Sequence, residues 1–124
     1  MAMHELSVAR ALLRQVERVA RTHGVDAASG VVRRVNLRIG ALSGIEPDLL
    51  ARAFPEVARG SLAQGAVLSI EVVPVRVRCD DCGAESAVAA NHLVCPVCAS
   101  AHTHLVAGDE LLLVSLDLEK ANDV

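Results

Sequence analysis

Cys79-Asp80-Asp81-Cys82 and Cys95-Pro96-Val97-Cys98 are two C-x-x-C pairs of the same spacing, and the chain has no other cysteine. Two such knuckles, with residues 83–94 between them, are the sequence form of a tetrahedral thiolate zinc site. Each is a tight turn that aims two sulfurs at one point. The competing readings are a disulfide or free thiols. Residues 1–23 interleave Glu5, Arg10, Arg14, Glu17, Arg18 and Arg21 with apolar positions, which is not the pattern of a signal peptide. A cytoplasmic location is therefore expected, where thiols stay reduced and metal binding is favoured. A catalytic zinc wants an open coordination position, and four cysteines leave none, so the expected zinc role is structural.

Outward from the knuckles, the chain alternates helical and strand patterns. Leu6, Ala9, Leu12, Leu13, Val16, Val19 and Ala20 recur at three- and four-residue steps, predicting a helix over 4–23 that stops at Gly24. Val35, Leu37 and Ile39 alternate with Arg34, Asn36 and Arg38, predicting a strand over 31–39. A second helix is expected from Pro47, with Glu46 and Asp48 favourable near its positive end. Pro55 falls inside it and is expected to kink or split it. Strands are expected at 67–73 and, after Pro74, through Val75 and Val77 to Cys79. The last, 111–118, places Leu112, Val114, Leu116 and Leu118 on one face. Gly83 to Val94 fits a short hairpin.

The last strand has to return to the first sheet to bury its apolar face. The expected fold is therefore α+β: a small mixed β-sheet packed with two helices, plus an inserted zinc-ribbon lobe. The discontinuous domain is 1–74 with 108–124, and the insert is 75–107. At 124 residues and 52% hydrophobic, a core is feasible, but it must be aliphatic because Phe54 is the only aromatic residue. The inserted lobe is too small for a core of its own and needs its metal, whose binding contributes on the order of 10 kcal/mol in small domains. Four thiolates and Zn²⁺ carry a charge of −2 that Asp80 and Asp81 worsen and Arg76 and Arg78 offset. His92, His102 and His104 flank the knuckles as loop histidines; the last two share a side if that segment is extended.

A net charge of −3, no basic stripe and no stacking aromatics argue against nucleic-acid binding. No run of about 18 apolar residues predicts membrane insertion. No Ser/His/Asp arrangement, phosphate loop or recognisable carboxylate pair points to an enzyme. By itself the zinc site leaves a protein- or nucleic-acid-binding ribbon as the alternative function. His4 reads as a polar residue at a helix start, and imidazole near a chain terminus suits Ni(II).

Met3-His4-Glu5-Leu6-Ser7 resembles the opening of the HypA/HybF family of hydrogenase nickel-incorporation accessory proteins. So does Ile39-Gly40-Ala41-Leu42-Ser43-Gly44-Ile45-Glu46-Pro47, and so do the double C-x-x-C and Gly108-Asp109-Glu110-Leu111. The similarity runs in order over nearly the whole chain. It implies a nickel metallochaperone (not an enzyme) that binds Ni²⁺ near its N-terminus and helps insert it into the large subunit of [NiFe]-hydrogenase. The implied helper is a HypB-type GTPase, and the implied zinc is structural. Carried over, the nickel ligands fall on Met3, His4 and Glu5, with a further acidic ligand at Glu46. Two features depart from the family. Met1-Ala2 precede the usual start, and loss of Met1 before Ala2 would leave an Ala2-Met3-His4 chelate. Many members carry a His just after a C-x-x-C pair, where this chain has Gly83-Ala84 and Ala99-Ser100.

Overall fold

A computed structural model describes residues 3–121, of Met3 the backbone alone; the Ala2-Met3-His4 chelate and the Met3 side chain lie outside the described residues. The elements are α1 (Met3–Thr22), β1 (Gly30–Gly40), α2 (Pro47–Ala58), β2 (Val67–Val73), β3 (Val75–Cys79), β4 (Glu85–Val88), β5 (Thr103–Ala107) and β6 (Leu111–Lys120). This is the expected α+β arrangement of two helices with two small sheets. One compact unit holds the chain up to Leu37, then Ile45–Ile70 and the part from Leu113 on. The other holds Arg38–Gly44 and Glu71–Leu112.

The apolar positions of α1 at three- and four-residue steps are its buried face: Ala9, Leu12, Val16 and Ala20 are at most 3% exposed. Glu5 in the first turn and Arg21 in the last complement the helix dipole. The helix ends in a Schellman motif. Gly24, at φ +77, donates to the Arg21 carbonyl, and the buried Val25 donates to Ala20. The second helix, α2, packs against α1 through the buried Leu50, Ala53, Phe54 and Ala58. Contrary to the expected split, α2 continues as one helix through Pro55. Both Pro55 and Ala51, whose carbonyl loses its helical donor, are exposed, so that carbonyl is not left unpaired in the core.

The first sheet has the order β2-β1-β6, so the last strand does return beside the first. Its mixed sense follows from its pairs. Arg33 meets Glu119, Arg34 meets Asp117 and Asn36 donates to Ser115, so β6 runs antiparallel to β1. Arg38 meets Glu71, and the Ala41 N–H donates to Val73, with the numbers rising together as in a parallel pair. The alternation expected for the last strand holds only in part. Leu116 and Leu118 are half-buried, but Leu112 and Val114 stay 49% and 48% exposed. Val72 on β2 is similarly exposed at 53%; both strands are sheet edges, covered less completely than Val35, Leu37 and Ile39 on β1.

The second sheet has the order β4-β3-β5. In antiparallel register Val75 faces Val88 and Arg78 faces Glu85 on one side, while Val77 faces Leu105 and Cys79 faces Thr103 on the other. The hairpin expected within Gly83–Val94 is not formed. That segment contributes the single strand β4, which pairs back across the first knuckle to β3, and the strand on the far side, β5, follows the second knuckle. The first knuckle itself reverses the chain, so β4 finds its partner before Cys79. Residues 89–93 are left exposed.

Two glycines let backbones cross within this unit. A Cβ on Gly40 would stand 2.2 Å from the Gly108 carbonyl, and one on Gly108 (φ +116) would stand 2.8 Å from Val75 Cα. The Gly40 N–H donates to Glu110 O, and Leu42 N–H to Gly108 O. The motifs Ile39–Ser43 and Gly108–Leu111, distant in sequence, are therefore one backbone crossing.

Candidate metal centre and N-terminal motif

The two knuckles repeat one local structure. Cys79 N–H donates to Ala84 O and accepts from Gly83 N–H at its own carbonyl; Cys95 N–H donates to Ser100 O and accepts from Ala99 N–H. Each turn closes through a residue at positive φ: Gly83 at +75 and Ala99 at +65. In each knuckle the first cysteine is buried and the second exposed. The four Sγ atoms lie within 4.8 Å of one another. Cys79 to Cys98 is 3.5 Å and Cys82 to Cys95 is 3.6 Å. A disulfide needs about 2.05 Å. A tetrahedron with metal–sulfur bonds of about 2.3 Å has edges of about 3.8 Å, so the sulfurs stand where a tetrahedral thiolate site requires them.

Electrostatics give the same fit. The Cys98 and Val97 N–H groups donate to Cys95 and, against burial, bring its thiol down to about 7. The Cys82 N–H, 3.4 Å from Cys79 Sγ, lowers that thiol too. Cys98 receives the Ser100 N–H, but the neighbouring sulfurs and burial outweigh it and push the thiol up to about 12. Cys82 likewise receives the Ala84 N–H and is still raised, by Cys95 and burial. The sulfurs of Cys79 and Cys95 thus oppose ionisation of their exposed neighbours, a restraint that a dication held among the four would lift.

Sequence reasoning missed the surroundings of the knuckle. Asp80 and Asp81 are partnered by histidines, not arginines: His104 Nδ1 lies 2.8 Å from Asp80, and His102 Nδ1 lies 3.1 Å from Asp81. The Ser100 hydroxyl also donates to Asp81, and it leads His102 in holding that carboxyl below its usual range. Among the described residues, Arg76 and Arg78 make no ion pair. The signal was present as the shared side of His102 and His104. The sheet register that sets them against the knuckle aspartates was not. His92 is exposed in a turn, its N–H on Ala89 O.

At the other site, His4 is exposed in the first turn of α1. Glu5 beside it is 3% exposed, the only charged residue in the core of the described chain. Its carboxylate accepts the Glu46 N–H at 3.4 Å. Glu46 is the N-cap residue of α2, but its exposed side chain makes no capping bond. The two helix starts are thus joined, and the N-terminal motif meets the Gly-Ile-Glu-Pro stretch through Glu5 and the Glu46 backbone. The first-turn amides of α1 have no carbonyl one turn back within the helix to bond.

A family model described as hydrogenase/urease nickel incorporation, metallochaperone, HypA, matches residues 3–118. This chain belongs to the HypA family. It is 46% identical over 116 residues to the hydrogenase maturation factor HypA of Nitrosospira multiformis, covering 94% of this chain and 97% of that one. To the factor of the same name from Aquifex aeolicus it is 38% identical over 117 residues, covering 94% and 98%. Among solved structures, the Ni metallochaperone HypA from Helicobacter pylori superposes with a TM-score of 0.65 at 28% identity, covering 92% of this chain and 96% of that one. Another HypA solution structure gives a TM-score of 0.68 at 29% identity, with coverage of 96% and 98%. The HypA family supplies nickel metallochaperones for hydrogenase maturation, and this member carries a four-cysteine metal-binding group. Among the described residues no helix is long and apolar enough to cross a membrane.

Proposed function

We propose that this chain carries Ni(II) on its N-terminal segment and delivers it to the large subunit of [NiFe]-hydrogenase with a HypB-type GTPase, in the cytoplasm and without catalysing a reaction itself. His4 is the principal nickel ligand, with Met3 and Glu5 beside it and Glu46 as a further acidic donor. Glu5 contributes its backbone nitrogen or its carboxylate; because the carboxylate already accepts the Glu46 N–H, the nitrogen is the favoured donor. The four cysteines hold a structural zinc. The nickel-binding part is 1–74 with 108–124, and the zinc-binding part is 75–107.

The observation that carries this reading is the contrast between the two sites. His4 is exposed at a helix terminus, open to ligand exchange, whereas the knuckle sulfurs are four strong donors already turned on one point. A carrier must release its metal, which a weak open site permits and a closed tetrathiolate does not. The test is His4→Ala. It abolishes specific nickel binding while zinc content and the circular dichroism spectrum stay unchanged. A variant that loses zinc or unfolds refutes the separation of the sites.

A further inference from the structure

Against the expectation of no basic stripe, Arg10, Arg14, Arg18 and Arg21 are all exposed on one side of α1, brought together by the helical period. At 100° and 1.5 Å per residue they fall within about 80° of arc and span about 17 Å. Among the described residues none of the four guanidiniums has an ion-pair or hydrogen-bond partner, whereas those of Arg33, Arg34, Arg38 and Arg59 each have a carboxylate. Glu17, spaced to reach Arg14 and Arg21, is half-buried and bonds neither. Like charges at four-residue spacing destabilise a helix modestly, so this row costs stability without a return inside the fold.

We propose that this arginine row is a docking face for a protein partner that presents a row of carboxylates. The chemistry of the row favours that occupant. All four cations are guanidiniums, whose planar fork takes a carboxylate bidentately. The opposite face of α1 is buried through Ala9, Leu12, Val16 and Ala20, so the helix has no apolar side to lay into a bilayer. Nucleic acid is disfavoured by the net charge of −3, and the sole aromatic, Phe54, is fully buried and unable to stack on a base. His4 heads the same helix, so a partner on this face lies along the element that carries it; that this partner exchanges nickel rests on the function proposed above.

The test measures binding, without nickel, of a fluorescein-labelled helical peptide with glutamate at every fourth position, alongside a DNA duplex and phosphatidylserine vesicles. The protein binds the peptide in preference to the other two, and added salt weakens it. Replacing all four arginines by glutamine lowers peptide affinity about tenfold or more, while the fourfold lysine variant keeps most of it. The partnered control Arg38→Gln has no effect, and zinc content verifies that each variant is folded. Failure of the wild type to bind the peptide, unchanged affinity in the glutamine variant, or preference for DNA or vesicles each overturns the proposal. With nickel absent, the outcome is independent of whether His4 binds it.

Discussion

The buried carboxylate of Glu5 accepts the backbone N–H of Glu46, tying the first turn of α1 to the start of α2. Both helix N-termini carry partial positive charge, so a carboxylate here is favourable to each. Glu5→Ala removes the acceptor and leaves a poorly solvated donor, a loss of about 1–3 kcal/mol. Glu46→Ala leaves the backbone donor in place and, with its exposed side chain, stays within about 0.5 kcal/mol of wild type. Urea unfolding of the two variants measures the difference. Equal losses would show that the tie is not through the Glu5 side chain.

The matched turns at Gly83 and Ala99 give opposite substitutions. Both residues sit at positive φ, where a Cβ costs about 1–2 kcal/mol, and nothing lies within 4 Å of a Cβ built on Gly83. Gly83→Ala therefore weakens the fold by about that amount through backbone strain alone. Ala99→Gly relieves the strain and raises the melting temperature. Its gain is reduced by the extra freedom of glycine in the unfolded chain. Thermal melts of metal-loaded protein read both; a drop for Ala99→Gly contradicts the account.

At Gly40 the obstacle is steric. An added Cβ would stand 2.2 Å from the Gly108 carbonyl, and both sides of that contact are backbone. Gly40→Ala is expected to cost more than Gly83→Ala, about 3 kcal/mol, and to disturb amides near Gly108 and Glu110. Chemical-shift changes confined to residues next to Gly40 would argue against the crossing.

Phe54 is fully buried in the contact surface of α2. Phe54→Ala leaves a cavity and costs about 3–5 kcal/mol, while Phe54→Leu costs distinctly less. Denaturant midpoints for the pair test whether this one aromatic anchors an otherwise aliphatic core.

Arg33 and Glu119 form an exposed pair in which the guanidinium's hydrogen bond and charge hold the Glu119 carboxyl below its usual range. A carboxyl depressed in the folded state contributes stability above its unfolded pKa. That contribution is lost as pH falls through the lower folded value. The stability difference between wild type and Arg33→Gln is therefore small at neutral pH, shrinks with salt and vanishes in acid. A difference that grows on acidification has the wrong sign for this pair.

Much of this could be read along the chain. Helical periodicity named the buried face of α1, alternation named β1, and the four cysteines named their own cluster, because a tight turn and an apolar stripe are written in neighbouring residues. The run of motifs from Met3 to Leu111 marked the family for the same reason: short stretches keep their order. Register and closure were not legible. The pairing of His102 and His104 with Asp81 and Asp80, the placement of β4 against β3, and the exposure of Leu112 and Val114 all depend on which segments meet. So does the burial of Glu5 on the Glu46 N–H. Local pattern says which side of an element is apolar. What lies opposite that side is set by chain closure and packing, and only the tertiary structure supplies it.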